Sequence, residues 1–299
     1  RRQRQMCIRD RYVQTGYVRN YGFEAMLSYG HRWGDFSWDS SFTFSANKNE
    51  IVELVKDYVH PETGKTYNVD KLELKTDEGR GFGKAKFILK EGGTLGDLYT
   101  HADLKRDING NILIDDSGNV TAIDNAGDIK LGSVLPKANL AWNNSFSYKG
   151  INAGFLLTAR LGGIVYSATQ AYLDLYGVSE TSAAARDAGG VWVNGRSRVN
   201  PQSFYEVVAS QSGLPTYYTY SATNLRLQEA HIGYTIPRRW LGNVCDINVS
   251  LVGRNLWMIY CKAPFDPEAV ATTNNYYQGI DYFMMPSTRN IGFNIKINF

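Results

Sequence analysis

The chain has 299 residues, 43% of them hydrophobic and 20% charged, which excludes a disordered tail and allows one large domain or two ordinary ones. Three Cys cannot build a disulfide scaffold, and a formal charge of +3 is too small to imply nucleic acid. Aromatics at 13%, with 29 Gly and only 8 Pro, suit long strands joined by Gly-containing turns.

Positive charge gathers at the start, where Arg1, Arg2, Arg4, Arg9 and Arg11 face only Asp10. That opening has no apolar segment, so it is not a signal peptide. Residues 1–11 resemble a translated sequencing adapter and read as non-native. With no initiating Met, the sequence is expected to be a fragment that lacks its own N-terminal part. No stretch reaches the roughly 18 apolar residues of a membrane helix. The nearest, 153–168, is broken by Arg160 and Gly162-Gly163. Strands are not excluded, because a barrel strand is short and only half apolar.

The rest of the chain is dominated by a period of two. Residues 21–33 set Tyr21, Phe23, Leu27, Tyr29 and Trp33 against Glu24, Ser28 and Arg32. After Gly34-Asp35, residues 36–47 set Phe36, Trp38, Phe42 and Phe44 against Ser37, Asp39, Ser41 and Thr43. The long segment 48–137 follows. In it, Asp107-Ile108-Asn109-Gly110-Asn111 and Asp115-Asp116-Ser117-Gly118-Asn119 flank Ile112-Leu113-Ile114, predicting a hairpin above the membrane. Residues 138–148 place Leu140, Trp142, Phe146 and Tyr148 opposite Asn139, Asn143, Ser145 and Ser147. Beyond Lys149-Gly150, residues 151–165 alternate more weakly, with Phe155, Leu157 and Leu161 opposite Asn152, Thr158 and Arg160.

In the long segment 166–217, Ala-rich stretches at 169–176 and 182–187 predict helices ended by Gly177 and Gly189. Over 218–236 the phase slips between Leu227 and Ile232, which predicts a β-bulge near Gln228-Glu229. A link at 237–245 holding Trp240 leads to residues 246–259. There Ile247, Val249, Leu251, Trp257 and Ile259 oppose Asp246, Asn248, Ser250 and Arg254. The last strand, after 260–285, is the cleanest: Ile291, Phe293, Ile295, Ile297 and Phe299 alternate with Gly292, Asn294, Lys296 and Asn298.

Seven strands with alternating short and long links are the signature of an outer-membrane barrel, with tight periplasmic turns and long extracellular loops. A soluble sandwich has more uniform links. Aromatics fall into two belts, as membrane interfaces require. Trp33, Phe36, Trp38, Tyr148 and Tyr234 lie near the short turns, and Tyr166, Trp257 and Tyr260 near the long loops.

No catalytic or metal constellation emerges. Asp107-x-Asn109-x-Asn111 matches three calcium-loop positions but lacks the following Gly and the distal Glu, so turn chemistry is the better reading. Gly79-Arg80-Gly81-Phe82-Gly83-Lys84 misses the phosphate-loop spacing. His31, His60, His101 and His231 have no metal-ligand spacing. Cys245 and Cys261 sit at opposite ends of one predicted strand, roughly 50 Å apart at about 3.3 Å per residue, too far for a disulfide. The chain is expected not to be an enzyme and to need no cofactor.

The C-terminal third carries a specific resemblance. Ser221-Ala222-Thr223-Asn224-Leu225-Arg226-Leu227-Gln228-Glu229 and Ile232-Gly233-Tyr234-Thr235-Ile236-Pro237 resemble late strands of SusC/RagA-type TonB-dependent transporters. So do Leu251-Val252-Gly253-Arg254-Asn255-Leu256, Ala263-Pro264-Phe265-Asp266-Pro267-Glu268, and the close from Gln278-Gly279-Ile280-Asp281-Tyr282 to Phe299. Asn20-Tyr21-Gly22-Phe23-Glu24 and residues 162–167 match as well, so the resemblance runs from about residue 12 to the end.

The resemblance implies an all-β fold: about seven antiparallel strands forming the C-terminal part of a 22-stranded transmembrane barrel, with long extracellular loops and with the N-terminal plug missing from 12–299. It implies import of bulky nutrients, usually oligosaccharides and sometimes peptides, across the outer membrane of a Gram-negative, Bacteroidetes-type bacterium. A SusD-like lipoprotein would form the lid, and TonB with ExbB and ExbD would act through the plug. Gly292, Ile295, Ile297 and Phe299 resemble the signal read by the barrel-assembly machinery, and outer-membrane lipid would surround the wall. On this reading Glu24, Arg32, Asp39, Arg160 and Arg254 face the lumen. Trp192, Tyr205, Tyr217, Tyr276 and Tyr277 are candidates for stacking on sugar. Asp266 and Glu268 are candidates for polar contacts with ligand or lid. Two alternatives stand beside it: a TonB-dependent siderophore or metal-complex receptor, and a secreted carbohydrate-binding β-sandwich.

Overall fold

The computed structural model describes residues 16–59, 63–74, 84–270 and 278–298. Residues 1–11, His60, most of the stretch 79–84, Tyr276, Tyr277 and Phe299 lie outside these residues.

Seven strands form one antiparallel sheet in chain order: β1 (Tyr17–Trp33), β2 (Phe36–Glu53), β3 (Ala138–Tyr148), β4 (Ile151–Leu161), β5 (Asn224–Ile236), β6 (Asp246–Cys261) and β7 (Asn290–Asn298). Each strand pairs with its sequence neighbour, so the sheet is an up-and-down meander ending on β1 and β7. Register explains the alternation. Glu24 pairs with Ser45, Met26 with Thr43, and Gly30 with Asp39, so one face collects the polar residues. The bulge falls where the phase slips: Leu227 and Glu229 pair across β6 while Gln228 is left over.

The apolar face is uncovered. Leu27, Trp142, Ile232, Leu251 and Phe293 are all exposed, and Phe293 keeps 78% of its surface. A β-sandwich would bury this face against a second sheet. Among the described residues no helix is long and apolar enough to cross a membrane. Crossing by strands fits both the exposed apolar face and the strand lengths of 9 to 18 residues. Two indole N–H groups on this face find partners in neighbouring strands. The Trp38 indole donates to Asn144 Oδ1 at 3.1 Å and the Trp142 indole to Ser40 Oγ at 3.0 Å.

The hydrophobic core lies instead in the long connections, which pack on one another as a cap. Phe87, Leu98, Tyr166, Val208, Leu214 and Ile280 are fully or almost fully buried there. Tyr166 corrects the expected interface belt. Gly162 and Gly163, at φ +77 and +83, break the strand predicted over 151–165. Ile164–Ser167 then turns away to pair with Thr219–Ser221 and Ile280–Asp281. Residues 218–223 likewise leave the predicted strand, and β5 starts only at Asn224. Two helices lie close to their predicted places, α1 (Ala168–Leu175) and α2 (Glu180–Asp187); a third, α3 (Pro201–Val208), has no counterpart in the sequence reading. The Ile112–Ile114 segment makes only isolated bridges, with Arg106 and Val120, rather than a hairpin strand.

Gly213 joins α3 to the barrel-bound chain at φ +89, and a Cβ there would lie 2.4 Å from Tyr218 Cδ2 and 2.7 Å from Ala171 Cβ. Gly213→Ala is therefore expected to destabilise the cap by about 2–4 kcal/mol through backbone strain and overpacking. Amide exchange should speed up in α1 and α3 while β2 to β6 stay protected. Unchanged protection in the helices would refute this.

Candidate functional site

The candidate site is an open space on the polar face of the sheet, with one residue of the cap beside it. A cavity of about 620 Å³ is lined by Glu24 and Met26 of β1, Thr43 and Ser45 of β2, Asn139 and Ala141 of β3, Thr158 and Arg160 of β4, and Glu268 of the cap. The structure thus brings three of the sequence candidates, Glu24, Arg160 and Glu268, around one space. Arg160 reaches past it, donating from Nη2 to the Val134 carbonyl at 2.8 Å.

The other charged residues expected in the lumen share this face. Asp39 pairs with Gly30 and Ser145, and Arg32 donates from Nε to the Gly34 carbonyl at 3.0 Å. Arg254 donates from Nε to Glu229 at 3.0 Å, in the next strand. Between these charges the face is hydroxyl and amide: Ser41, Asn143, Ser145, Asn152, Asn248 and Asn294.

A buried ion pair fastens the cap to the wall. Arg226 of β5, 6% exposed at its side chain, donates from Nη2 to Asp266 Oδ1 at 2.7 Å and from Nη1 to Asn255 Oδ1 at 3.0 Å. Its guanidinium also lies 3.3 Å from Glu268. Ser287 Oγ donates to the second Asp266 oxygen, and the Glu268 N–H to the first at 3.0 Å. Burial alone would raise the Asp266 pKa, but the Ser287 hydroxyl, the Arg226 guanidinium and the Glu268 amide outweigh it and hold the carboxyl below its ordinary value. Asp266 and Glu268 therefore act on Arg226 in this structure.

The aromatic candidates separate. Trp192 is 57% exposed, with Arg198 stacked 4.5 Å from its ring centroid on one side. Tyr205 is 8% exposed and Tyr217 packs edge-on against Phe204. Both belong to the packed cap, because α3 turns one face into the core. Gly292, Ile295 and Ile297 lie along β7. Cys245 and Cys261 are free thiols.

Sequence reasoning missed the Asp174 node. This carboxylate, 4% exposed, accepts from Gln170 Nε2 at 3.1 Å, from the Tyr218 hydroxyl at 2.9 Å and from Ser179 Oγ. Burial first, then the Asp174 charge, raises the Tyr218 pKa, so this phenol stays a donor. The acidic turns behave as turns. The Asp107 carboxylate accepts the Asn109 and Asn111 N–H groups, each at 2.8 Å, and the Asn111 side-chain amide holds its pKa down. Among the described residues no group of three or more His, Cys, Asp or Glu is arranged to hold a metal.

No protein-family model matches the chain. Three TonB-dependent receptors of Formosa agariphila are similar over nearly all of it. Receptor P3 is 25% identical over 94% of this chain and 29% of its own length, and P26 is 25% identical over 95% and 29%. P39 is 24% identical over 96% and 31%. Among solved structures, the RagAB peptide importer in its closed-closed state superposes with a TM-score of 0.63 at 16% identity, over 95% of this chain and 30% of that one. A structure of the RagAB peptide transporter gives 0.62 at 16%, with the same coverage. The chain thus spans 29–31% of the length of these curated relatives. A seven-stranded meander with one bare apolar face is thus similar along its length to these TonB-dependent receptors and shares its fold with a stretch of the RagAB importer.

Proposed function

We propose that residues 12–299 form the C-terminal part of the barrel of an active importer that carries oligosaccharides across the outer membrane of a Gram-negative bacterium. The observation that carries this reading is the contrast between the two faces of the sheet. One is apolar and bare, fit for lipid; the other presents Ser, Thr and Asn between scattered charged residues beneath a packed cap. Neutral hydroxyl and amide groups suit passage of a neutral, hydrophilic solute, since they exchange hydrogen bonds with it without strong capture.

In this reading Glu24, Arg32, Asp39, Arg160 and Arg254 line the lumen around the plug, and TonB with ExbB and ExbD supplies the pull. A SusD-like lipoprotein closes the cap from outside, and Trp192 offers its free ring face to sugar. The barrel-assembly machinery reads Gly292, Ile295 and Ile297 on the last strand. A peptide cargo is the second reading, favoured by the fold shared with the RagAB peptide importer.

Deleting the gene and testing growth on single nutrients separates these readings. The expected result is lost growth on one neutral glycan, with normal growth on peptides and on chelated iron. Loss confined to peptides would favour the second reading, and loss confined to chelated iron would favour a siderophore receptor.

A further inference from the structure

The cap holds a second cavity, of about 350 Å³, between α1, α2 and α3 and apart from the lumenal space. Its floor is Asp174, its walls are Arg186, Gln202, Tyr205 and Glu206, and Tyr176 stands beside its mouth, 74% exposed. Several polar groups here have capacity left over. Gln202 Nε2 donates to Glu206 Oε1 at 2.9 Å, which leaves the Gln202 carbonyl and the second Glu206 oxygen as acceptors. Arg186 Nη1 donates to the Gly177 carbonyl at 2.9 Å, which leaves the rest of its donor fork. The Tyr205 hydroxyl makes no hydrogen bond among the described residues, although the ring is 8% exposed. Burial, and then the Asp174 charge, raises its pKa, so it remains a donor.

We infer that this cavity is an outer sugar-binding subsite, taking one end of a neutral oligosaccharide before it reaches the lumen. The inference rests on the oligosaccharide reading above. A sugar ring offers hydroxyls that both donate and accept, and a C–H face that lies on an aromatic ring. The cavity supplies the matching set: Arg186 and Tyr205 as donors, Gln202 and Glu206 as acceptors, and Tyr176 as the platform. Asp174 and Glu206 against Arg186 leave the lining with an excess of negative charge, which disfavours an anionic ligand. The Asp174 carboxylate is already occupied by Gln170, Ser179 and Tyr218, so its role is to fix the floor and orient the helices.

The test is isothermal titration of the intact receptor in detergent with maltohexaose, laminarihexaose and cellohexaose, and with hexa-alanine as the peptide control. At least one sugar should bind. Tyr176→Ala should weaken it about tenfold, and Tyr205→Phe and Gln202→Ala several-fold each, equivalent to one lost stacking or hydrogen-bonding contact. Heat-modifiable gel migration checks that each variant is folded, and Gln202 is exposed on its helix, so its replacement keeps the cap intact. Sugar binding at wild-type strength in Tyr176→Ala and Gln202→Ala would overturn the subsite and leave the importer reading standing. Binding of hexa-alanine with no sugar bound would overturn both.

Discussion

Replacing Arg226 with Met is expected to detach residues 262–270 from the barrel wall and to cost the intact receptor about 3–5 kcal/mol, the range for breaking one side of a buried ion pair. The side chains of Arg226 and Asp266 are 6% and 9% exposed, so the orphaned carboxylate cannot recover its hydration in place. Asn255 and Glu268 lose the same partner. Chymotrypsin should then cut after Phe265 at a denaturant concentration where the wild type is intact. A double variant, Arg226→Met with Asp266→Leu, should recover part of the loss, because it removes the stranded charge.

The same pair carries a pH signature. Asp266 is held below its ordinary value of 3.8 in the folded state, so its contribution is fully present above that value. It is lost as pH falls through the lower, folded pKa. Sensitivity of the segment to pepsin, a protease active in acid, should therefore rise only below about pH 4, and Asp266→Asn should remove that acid step while lowering chymotrypsin resistance at neutral pH. An acid step that persisted in Asp266→Asn would assign it to another group.

The sheet was legible because its evidence is local. Leu251 and Ser250 announce opposite faces within two residues, and the slip around Gln228 shows directly in which residues are apolar. The cap was much less so, because long-range packing decides it. Nothing near Arg226 in sequence points to Asp266, 40 residues away. Tyr205 reads as a loop aromatic until α1 and α3 are seen to meet. Helix α3 did leave a signal, since Asn200 caps it and Pro201 occupies its first turn. Tyr166 was misplaced because Gly162-Gly163 can be read either as strand or as break, and only the φ angles decide.

Leu251→Arg and Ser250→Arg, one residue apart on β6, are expected to behave in opposite ways. Leu251 lies on the apolar face between Ile232 and Phe293, near the middle of its strand, and is 55% exposed. If lipid covers that face, an Arg there costs about 2–4 kcal/mol, and less receptor should reach the heat-modifiable, folded form in the outer membrane. Ser250 lies on the polar face opposite Gly233, which has no side chain, and Asn294. An Arg there extends into the lumen and should leave assembly near the wild-type level. For a water-exposed sheet the expectation reverses. Leu251→Arg would then be an ordinary surface change, within about 0.5 kcal/mol, and would improve solubility by removing an exposed apolar side chain. Comparing the two variants by the fraction of folded barrel cancels any general intolerance of β6 to a long charged side chain. A large loss for Leu251→Arg with none for Ser250→Arg can come only from a difference between the two faces, and equal tolerance of both would remove lipid from the apolar one.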